Sequence, residues 1–312
     1  MDKEIYDCIV IGGGPAGLSA SLFLARYRRR VLTFHHNSPR NMYSHGIHGF
    51  LGHHGILPSE LLARGREDVT RHGGLLIEAY VSQVERTAEE CFSVKTGGGA
   101  IVEQRFQART LILATGLRDL TPDCPGFREF YGRSVHHCPD CDGFEHTGHR
   151  IAVLGSGERV VGFALALLTW TDKLTVLING KLDELTGEQE ERLREFGIPV
   201  AKEHVGLLEG NMETGQLHRV RFTEGGTLDC DALFFSLGTE PASDLHTQLG
   251  CELDDCGLVR VDEHHETSVP GVYAAGDLTP QSQLAVVAAA EGAMAAIHVH
   301  KSLGLHRHRT ST

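Results

Sequence analysis

Residues 6–20 read Tyr-Asp-Cys-Ile-Val-Ile-Gly-Gly-Gly-Pro-Ala-Gly-Leu-Ser-Ala, and this stretch decides the fold. Its apolar run predicts a buried parallel strand, and the residues after the glycines predict a helix that ends at about Arg28. Gly12 allows a tight turn, and Gly14 lets the backbone approach a pyrophosphate. Gly17 lets the helix lie close on the strand, so that the helix N-terminus faces the phosphates. Strand, turn and helix in this order predict a dinucleotide-binding site.

A second unit of the same kind begins at residue 151, where Ile-Ala-Val-Leu-Gly-Ser-Gly again leads from a strand-like run into an apolar helix. Two further apolar strands, Thr110–Gly116 and Gly271–Asp277, end in turns of small residues. If both turns serve the cofactor of the first unit, the first domain is split in sequence. We therefore predict an α/β protein in which residues 1–117 and 244–312 form one Rossmann-like domain and residues 118–243 form a second, inserted one.

Composition and charge narrow the range of partners. The chain has 312 residues and a formal net charge of -12, which argues against nucleic acid or an anionic membrane surface as the main partner. No run approaches the roughly 18 apolar residues of a membrane span. The acidic start, Met-Asp-Lys-Glu, does not resemble a signal peptide, so we expect a cytoplasmic protein. In that reducing compartment a close cysteine pair is catalytic or metal-binding more often than structural.

Residues 138–143, Cys-Pro-Asp-Cys-Asp-Gly, contain such a pair. A CxxC motif can be half of a zinc site, one end of a structural bridge or a redox dithiol. Zinc would require a second pair, and the only one, Cys251 and Cys256, lies in the other predicted domain. The motif therefore favours a redox dithiol with at least one thiol of lowered pKa. Asp142 could carry a proton to or from a thiol, or it could simply cap the turn before Gly143.

The order of these motifs resembles that of the low-molecular-weight thioredoxin reductases. GGGPAG at 12–17, ATG at 114–116, CxxCDG at 138–143, the second glycine turn at 155 and GVYAAGD at 271–277 follow one another as in that family, over nearly the whole chain. The specific part is CxxCDG just before the second glycine motif, because other flavoproteins with two dinucleotide domains place their cysteine pair elsewhere. The resemblance implies two domains of the FAD/NAD-linked reductase type, of which the inserted, NAD(P)-like one carries the dithiol.

The resemblance also implies the cofactor and the roles of individual residues. FAD would lie in the split domain, with the flavin ring near Ala285. Cys141 would face the flavin, Cys138 would exchange with a protein substrate, and Asp142 would be the acid/base. The family is homodimeric and swings its inserted domain between two orientations. The implied FAD contacts are Gly12, Gly14, Pro15, Ala16, Gly17, Gly116, Gly276 and Asp277.

The inserted domain departs from the members that use NADPH. Those members carry basic residues after its second strand, which clamp the 2′-phosphate. Here residues 178–184 read Ile-Asn-Gly-Lys-Leu-Asp-Glu, with one Lys and two acids, and Val160 stands where Gly or Ala would let the helix pack closest. These features argue against ordinary use of NADPH. The chain resembles two branches that lack the nicotinamide site: reductases independent of pyridine nucleotide, some of which accept electrons from ferredoxin, and dithiol oxidases that pass electrons to oxygen.

The sequence therefore predicts a flavin-dependent disulfide oxidoreductase that passes electrons through Cys138 and Cys141 to thioredoxin or a similar dithiol protein. One alternative is an FAD-dependent oxidase that closes a disulfide in a small molecule, with oxygen as the acceptor. A second is a flavin-binding redox sensor without turnover. In the histidine-rich loop 44–55, we expect His45 and His48 to lie near the flavin. A tail histidine, His306, could cover the flavin face that a nicotinamide would otherwise occupy.

Overall fold

The computed structural model describes residues 5–97, 103–179 and 185–304. Its strands are β1 (Ile5–Ile11), β2 (Val31–His35), β3 (Leu75–Glu78), β4 (Val81–Arg86), β5 (Phe92–Thr96), β6 (Gln104–Leu113), β7 (Leu117–Asp119), β8 (Val135–His136), β9 (Ile151–Gly155), β10 (Leu174–Leu177), β11 (Val200–Ala201), β12 (Val205–Asn211), β13 (Gln216–Phe222), β14 (Thr227–Asp229), β15 (Ala232–Ser236), β16 (Thr239–Pro241) and β17 (Val272–Ala274). Its α-helices are α1 (Pro15–Arg26), α2 (Pro58–Arg71), α3 (Phe127–Phe130), α4 (Pro139–Asp142), α5 (Gly157–Leu167), α6 (Gly187–Glu195), α7 (Leu245–Leu249) and α8 (Ala285–Ser302). A short 3-10 helix covers Phe144–His146.

The first sheet has the strand order β3-β2-β1-β6-β5-β4, with β17 paired to β6. Strands β3, β2, β1, β6 and β17 are parallel, and β5 and β4 continue the sheet antiparallel. Helices α1 and α8 cover one face, and small side chains let them cross closely. A Cβ at Gly292 of α8 would lie only 1.9 Å from the carbonyl oxygen of Ala16 in α1. The small residues of α8 therefore pack against the helix that follows the first glycine turn.

Strand β6 begins six residues before the apolar strand predicted at 110–116. Its first half pairs antiparallel with β5, and its second half pairs parallel with β1 and β17. Because β1, β6 and β17 run parallel, the turns that follow them lie at one edge of the sheet. That edge brings together residues 12–17, 114–116 and 275–277.

The second sheet, β11-β10-β9-β15-β8, is parallel throughout. Buried aliphatic and aromatic side chains form a core on each of its faces. Helix α5 begins at Gly157, directly after β9, with Ser156 in extended conformation as its N-cap. A separate antiparallel sheet, β12-β13-β14, packs beside it. The predicted fold class, α/β with two Rossmann-like sheets, is confirmed.

A two-stranded antiparallel ribbon, β7 with β16, connects the two sheets. It contains both crossings of the chain between them, at 117–119 and at 239–241. Within the residues that the structure describes, no helix combines the length and the hydrophobicity that crossing a bilayer requires.

Candidate active site

One long cleft runs from the turn after β1 to the cysteine pair of the second sheet. It is bordered by the first glycine turn, the loop that follows β2, the ends of β6 and β17, the start of α8 and the segment from Tyr131 to Asp142. The residues predicted from the sequence that line it are Gly12, Gly14, Pro15, Ala16, His48, Gly116, Cys141, Asp142, Gly276, Asp277 and Ala285. Residues from five distant parts of the sequence therefore meet around one cavity.

The glycine turn at 12–17 is built by close backbone approaches. Gly12 has φ +123°, and a Cβ there would lie 2.0 Å from the carbonyl oxygen of Ala114. Gly17 does not line the cleft, but its own Cβ would lie 1.9 Å from the carbonyl oxygen of Gly12. Gly14 differs, because nothing lies within 4 Å of a Cβ built on it. Gly12 and Gly17 are required because a side chain at either position would collide with the backbone, whereas Gly14 leaves open space at the N-terminus of α1.

Several buried polar atoms along the cleft have no hydrogen-bond partner among the described residues. They are His35 Nδ1, His48 Nδ1, Thr115 Oγ1 and Ser243 Oγ. Buried polar groups are normally paired, so these atoms point to polar ligands that complete them. An elongated cleft with an open helix N-terminus at one end and unpaired hydroxyls along it fits FAD, whose pyrophosphate requires N–H donors and whose ribityl chain carries hydroxyls.

The turn after β17 is held from behind by Glu291 of α8. Its carboxylate accepts hydrogen bonds from the Gly276 N–H at 2.7 Å and the Thr279 hydroxyl at 2.9 Å. Burial raises the pKa of Glu291, although both hydrogen bonds oppose the shift. From the sequence alone, Glu291 is a single charged residue in an otherwise apolar helix. In the structure it fixes the backbone from which Asp277 reaches the cleft.

We expect Glu291→Ala to lower the free energy of unfolding by about 2–3 kcal/mol, because it leaves a buried N–H and a buried hydroxyl unpaired. Glu291→Gln keeps one acceptor oxygen and should cost less than half as much. Urea unfolding followed by far-UV circular dichroism measures both variants. Equal stability of Glu291→Ala and the parent protein would contradict this assignment.

Arg40 connects the cofactor turn with the ribbon. Its guanidinium forms a bidentate ion pair with Asp119 of β7, and it also donates to Asp277 at 3.0 Å and to Gln283 at 2.7 Å. Asp119 further accepts a hydrogen bond from the Tyr131 hydroxyl. Although burial opposes ionisation, Arg40 holds the pKa of Asp119 below its ordinary value. Asp277, expected to accept hydrogen bonds from a ribityl hydroxyl, therefore lies in the cleft with Arg40 already bound to it.

Cys138 and Cys141 form a disulfide across the single turn of α4. Among the described residues, Cys141 lines the cleft and Cys138 does not. The Cys141 N–H lies 3.2 Å from Cys138 Sγ and donates to it. After reduction the same N–H would be placed to donate a hydrogen bond to a thiolate on Cys138. The two sulfurs are therefore in different surroundings, one at the cavity and one away from it.

Asp142 is oriented by His136, which stands two residues before the cysteine pair. Its carboxylate lies 3.3 Å from Nδ1 of buried His136. Burial would raise the pKa of Asp142, but the hydrogen bond from His136 and its charge hold that pKa below the ordinary value. Nε2 of His136 in turn lies 3.0 Å from Nε2 of His146. The carboxylate therefore stays ionised next to Cys141, in the form that can accept a proton.

Two neighbouring histidines are kept neutral. Burial lowers the pKa of His146 to about 4, with a further contribution from His136. Burial also lowers the pKa of His137 to about 4, and the charge of Arg40 acts in the same direction. An unfolded histidine titrates near 6.5, so between these two values the unfolded chain binds more protons than the folded one.

The stability of the protein should therefore fall as the pH falls from about 6.5 to about 4. The loss from these two groups stops once both are protonated in the folded state as well. We expect His146→Gln to make the fall of the melting temperature over this window shallower. Parallel melting curves for the variant and the parent protein between pH 7 and pH 4.5 would contradict the expectation.

The structure does not place every predicted residue at the cleft. His45 is exposed and does not line it, because the Ser44 hydroxyl bonds Gly46 and leaves His45 at the outside of that turn. His48 does line it. His306 lies outside the described residues. The sequence interpretation missed Arg40 and other contributors, whose roles depend on contacts distant in sequence: Asp119, Tyr131, His136, Thr115, Ser243 and Glu291.

Comparison with known proteins agrees with this geometry. Residues 6–292 match the model of the pyridine nucleotide-disulphide oxidoreductase family. The chain belongs to this family. The family is enzymatic and implies FAD, so the chain is a flavoprotein oxidoreductase of the thioredoxin-reductase-like type. A thioredoxin reductase from Peptoclostridium litorale is 30% identical over 321 residues, covering 96% of this chain and 97% of the relative.

Solved structures resemble this oxidoreductase over nearly its whole length. A crystal structure described as thioredoxin reductase TrxB from Bacillus anthracis is 31% identical, has a TM-score of 0.88 and covers 95% of this chain and 98% of its own. The crystal structure of HlmI is 36% identical, has a TM-score of 0.89 and covers 96% and 92% of the two chains. The arrangement of two Rossmann-like sheets in this oxidoreductase is therefore that of thioredoxin reductases.

Proposed function

We propose that this oxidoreductase transfers electrons between FAD in the cleft and the Cys138–Cys141 pair, and from there to thioredoxin or a similar dithiol protein. The observation that carries the proposal is that one cavity connects the glycine turn at 12–17 with Cys141. FAD, when bound, supplies reversible two-electron exchange with a neighbouring disulfide. The proposed contacts are those with Gly12, Gly14, Pro15, Ala16, Gly116, Gly276, Asp277 and Ala285, whereas Gly17 supports the turn by packing against the carbonyl oxygen of Gly12.

We assign the exchange with the partner protein to Cys138, because it lies outside the cavity and accepts the Cys141 N–H. The Cys138 thiolate attacks the partner's disulfide, and a mixed disulfide forms as one partner thiolate leaves. Cys141 then attacks Cys138 Sγ, which releases the second partner thiolate and closes the Cys138–Cys141 disulfide. Ionised Asp142 accepts the proton that the Cys141 thiol loses. The partner leaves reduced by two electrons.

A protein partner is supported by the surface beside the dithiol. Phe144, directly after the Cys-Asp-Gly turn, is 75% exposed, and Asp140 between the two cysteines is also exposed. An exposed aromatic ring next to a reactive sulfur is suited to bury against another protein. The homodimer and the cytoplasmic location stay predictions from the sequence.

We also propose that residues 1–117 and 244–312 form the FAD-binding domain and residues 118–243 the inserted one. The split is supported because β17, from the C-terminal part of the chain, pairs with β6 from the N-terminal part. The strands of the second sheet all lie between β8 and β15 in the sequence.

The inserted domain has no ordinary NADPH site in our proposal. At the N-terminus of α5, where a pyrophosphate would bind, Glu158 occupies the first turn and is paired with Arg192 at 3.0 Å. This acid opposes an anionic ligand at the positive end of the helix. Asn179 Oδ1 accepts the Val205 N–H at 2.8 Å and is engaged in the fold. The sequence argument against NADPH also rests on the absence of a basic cluster at residues 180–184. These residues lie outside the described part of the chain.

The electron donor and the electron acceptor are tested by mixing the FAD-loaded protein anaerobically with each candidate donor. We expect slow loss of the visible flavin absorbance with NADPH or NADH and rapid loss with a reduced ferredoxin, followed by stoichiometric reduction of thioredoxin disulfide. Rapid bleaching by NADPH would contradict the donor assignment. Failure of the reduced enzyme to reduce any thioredoxin would contradict the partner assignment.

A second candidate function is a dithiol oxidase that uses oxygen. Three imidazoles, of His48, His136 and His137, line the cleft near Cys141, and they could accept the protons of a small dithiol. Catalytic oxygen consumption with a small dithiol, together with no reduction of thioredoxin, would favour the oxidase over the reductase.

A further inference from the structure

A cluster of potential metal ligands lies beside the dithiol segment, outside the residues that exchange electrons. His48 and His54 belong to the loop between β2 and α2, and Glu145 lies in the 3-10 helix that follows the Cys-Asp-Gly turn. Each residue offers one ligand atom, and the three atoms lie within 4.8 Å of one another. Residues almost a hundred positions apart in sequence therefore converge on one point.

His48 is the residue that points to a ligand there. Its Nδ1 is buried and has no hydrogen-bond partner among the described residues, although it lies 3.3 Å from Glu145 Oε1. A tetrahedral zinc ion with bonds of roughly 2.0–2.1 Å separates its ligand atoms by about 3.3–3.4 Å. The imidazole nitrogen and the carboxylate oxygen therefore already stand at the spacing that a shared zinc ion requires.

The remaining ligand atom, on His54, lies within 4.8 Å of the other two. The His54 ring lies 5.2 Å from the ring of His48, centroid to centroid. Its Nδ1 accepts a long hydrogen bond of 3.3 Å from the Gly49 N–H, which coordination through that nitrogen would replace. Both His54 and Glu145 are exposed, so an ion reaches the site from solvent.

We propose that His48, His54 and Glu145 bind one zinc ion, with a water molecule in the fourth position. Two imidazoles and one carboxylate are a ligand set that zinc accepts, and one open position is typical when a protein supplies three ligands. The ion would tie the loop that borders the FAD cleft to the segment that carries the dithiol. It would therefore link the two sheets at the redox centre, whichever electron donor or dithiol substrate the enzyme uses.

The test is calorimetric titration of the FAD-loaded protein with zinc chloride. The protein is kept oxidised so that Cys138 and Cys141 cannot bind the ion, and exposed Cys256 is alkylated beforehand. We expect one site that competes with a chelating dye and whose affinity falls at least tenfold in His48→Gln and in Glu145→Gln. Unchanged FAD absorbance shows that these variants remain folded.

The same loop offers matched controls. His45 and His53 are exposed histidines outside the cluster, and His149 lies in the neighbouring histidine group next to His146. His45→Gln, His53→Gln and His149→Gln should bind zinc as the parent protein does. The proposal is wrong if no zinc binds, or if the cluster variants and the controls lose affinity equally. Neither result would affect the proposed function, which is tested by flavin bleaching and thioredoxin reduction.

Discussion

Replacing Cys141 with serine is expected to lower the rate of thioredoxin reduction at least roughly a thousandfold, because one sulfur of the only disulfide among the described residues is removed. Cys138→Ser should be equally inactive, but for a different reason. In Cys141→Ser, Cys138 can still attack a partner disulfide and remain bound to it, because no second thiol resolves the intermediate. In Cys138→Ser no such covalent complex with the partner should form.

The two variants should therefore differ in whether they trap a mixed disulfide with the partner protein. Non-reducing electrophoresis of Cys141→Ser with oxidised thioredoxin should show a mixed disulfide of the two proteins, and Cys138→Ser should show none. Cys256→Ser is the matched control, because Cys256 is an exposed free thiol and should be dispensable. The reverse pattern of trapping would contradict the assignment of roles, and full activity of both variants would show that the cysteine pair does not carry the electrons.

Gly14→Val is expected to weaken FAD binding at least roughly a hundredfold while leaving the protein folded. Gly14 has φ −79° and ψ −174°, an extended backbone that any residue adopts, and nothing lies within 4 Å of a Cβ built there. A Cβ at this position therefore contacts no distant residue. It projects into the space at the N-terminus of α1 that the pyrophosphate would fill.

The measurement is the ratio of FAD to protein after gel filtration, together with a titration of the FAD-free protein with FAD. Gly162→Val is the control, because Gly162 also has open space around it but lies on the exposed side of α5. It should keep its FAD. Stoichiometric FAD in purified Gly14→Val would show that the cofactor does not approach this turn.

The parts of the site that the sequence predicted are those encoded in short continuous motifs. The glycine turn at 12–17 and the Cys-x-x-Cys pair each combine a required spacing with a chemistry that few other patterns share, so each could be read without knowledge of distant contacts. The edge of the sheet where the turns meet also followed from the parallel order of the strands.

The parts that were missed depend on contacts between distant residues. Arg40 lies in a loop without regular structure and pairs with Asp119 and Asp277, which are 79 and 237 positions away. Glu291 is one charge in an apolar helix, and only the packing of α8 on the turn at 276 shows what it holds. Local signals also failed at helix ends: α1 ends at Arg26 instead of Arg28 because Arg28 adopts φ +60°.

The most direct test of the central claim is an anaerobic titration of the oxidised, FAD-loaded protein with dithionite. If FAD and the Cys138–Cys141 disulfide form one redox unit, the parent protein should take up two electron pairs for each FAD, and the double variant Cys138→Ser/Cys141→Ser only one. Uptake of a single pair by the parent protein, or a purified chain that stays colourless when FAD is added, would contradict the account.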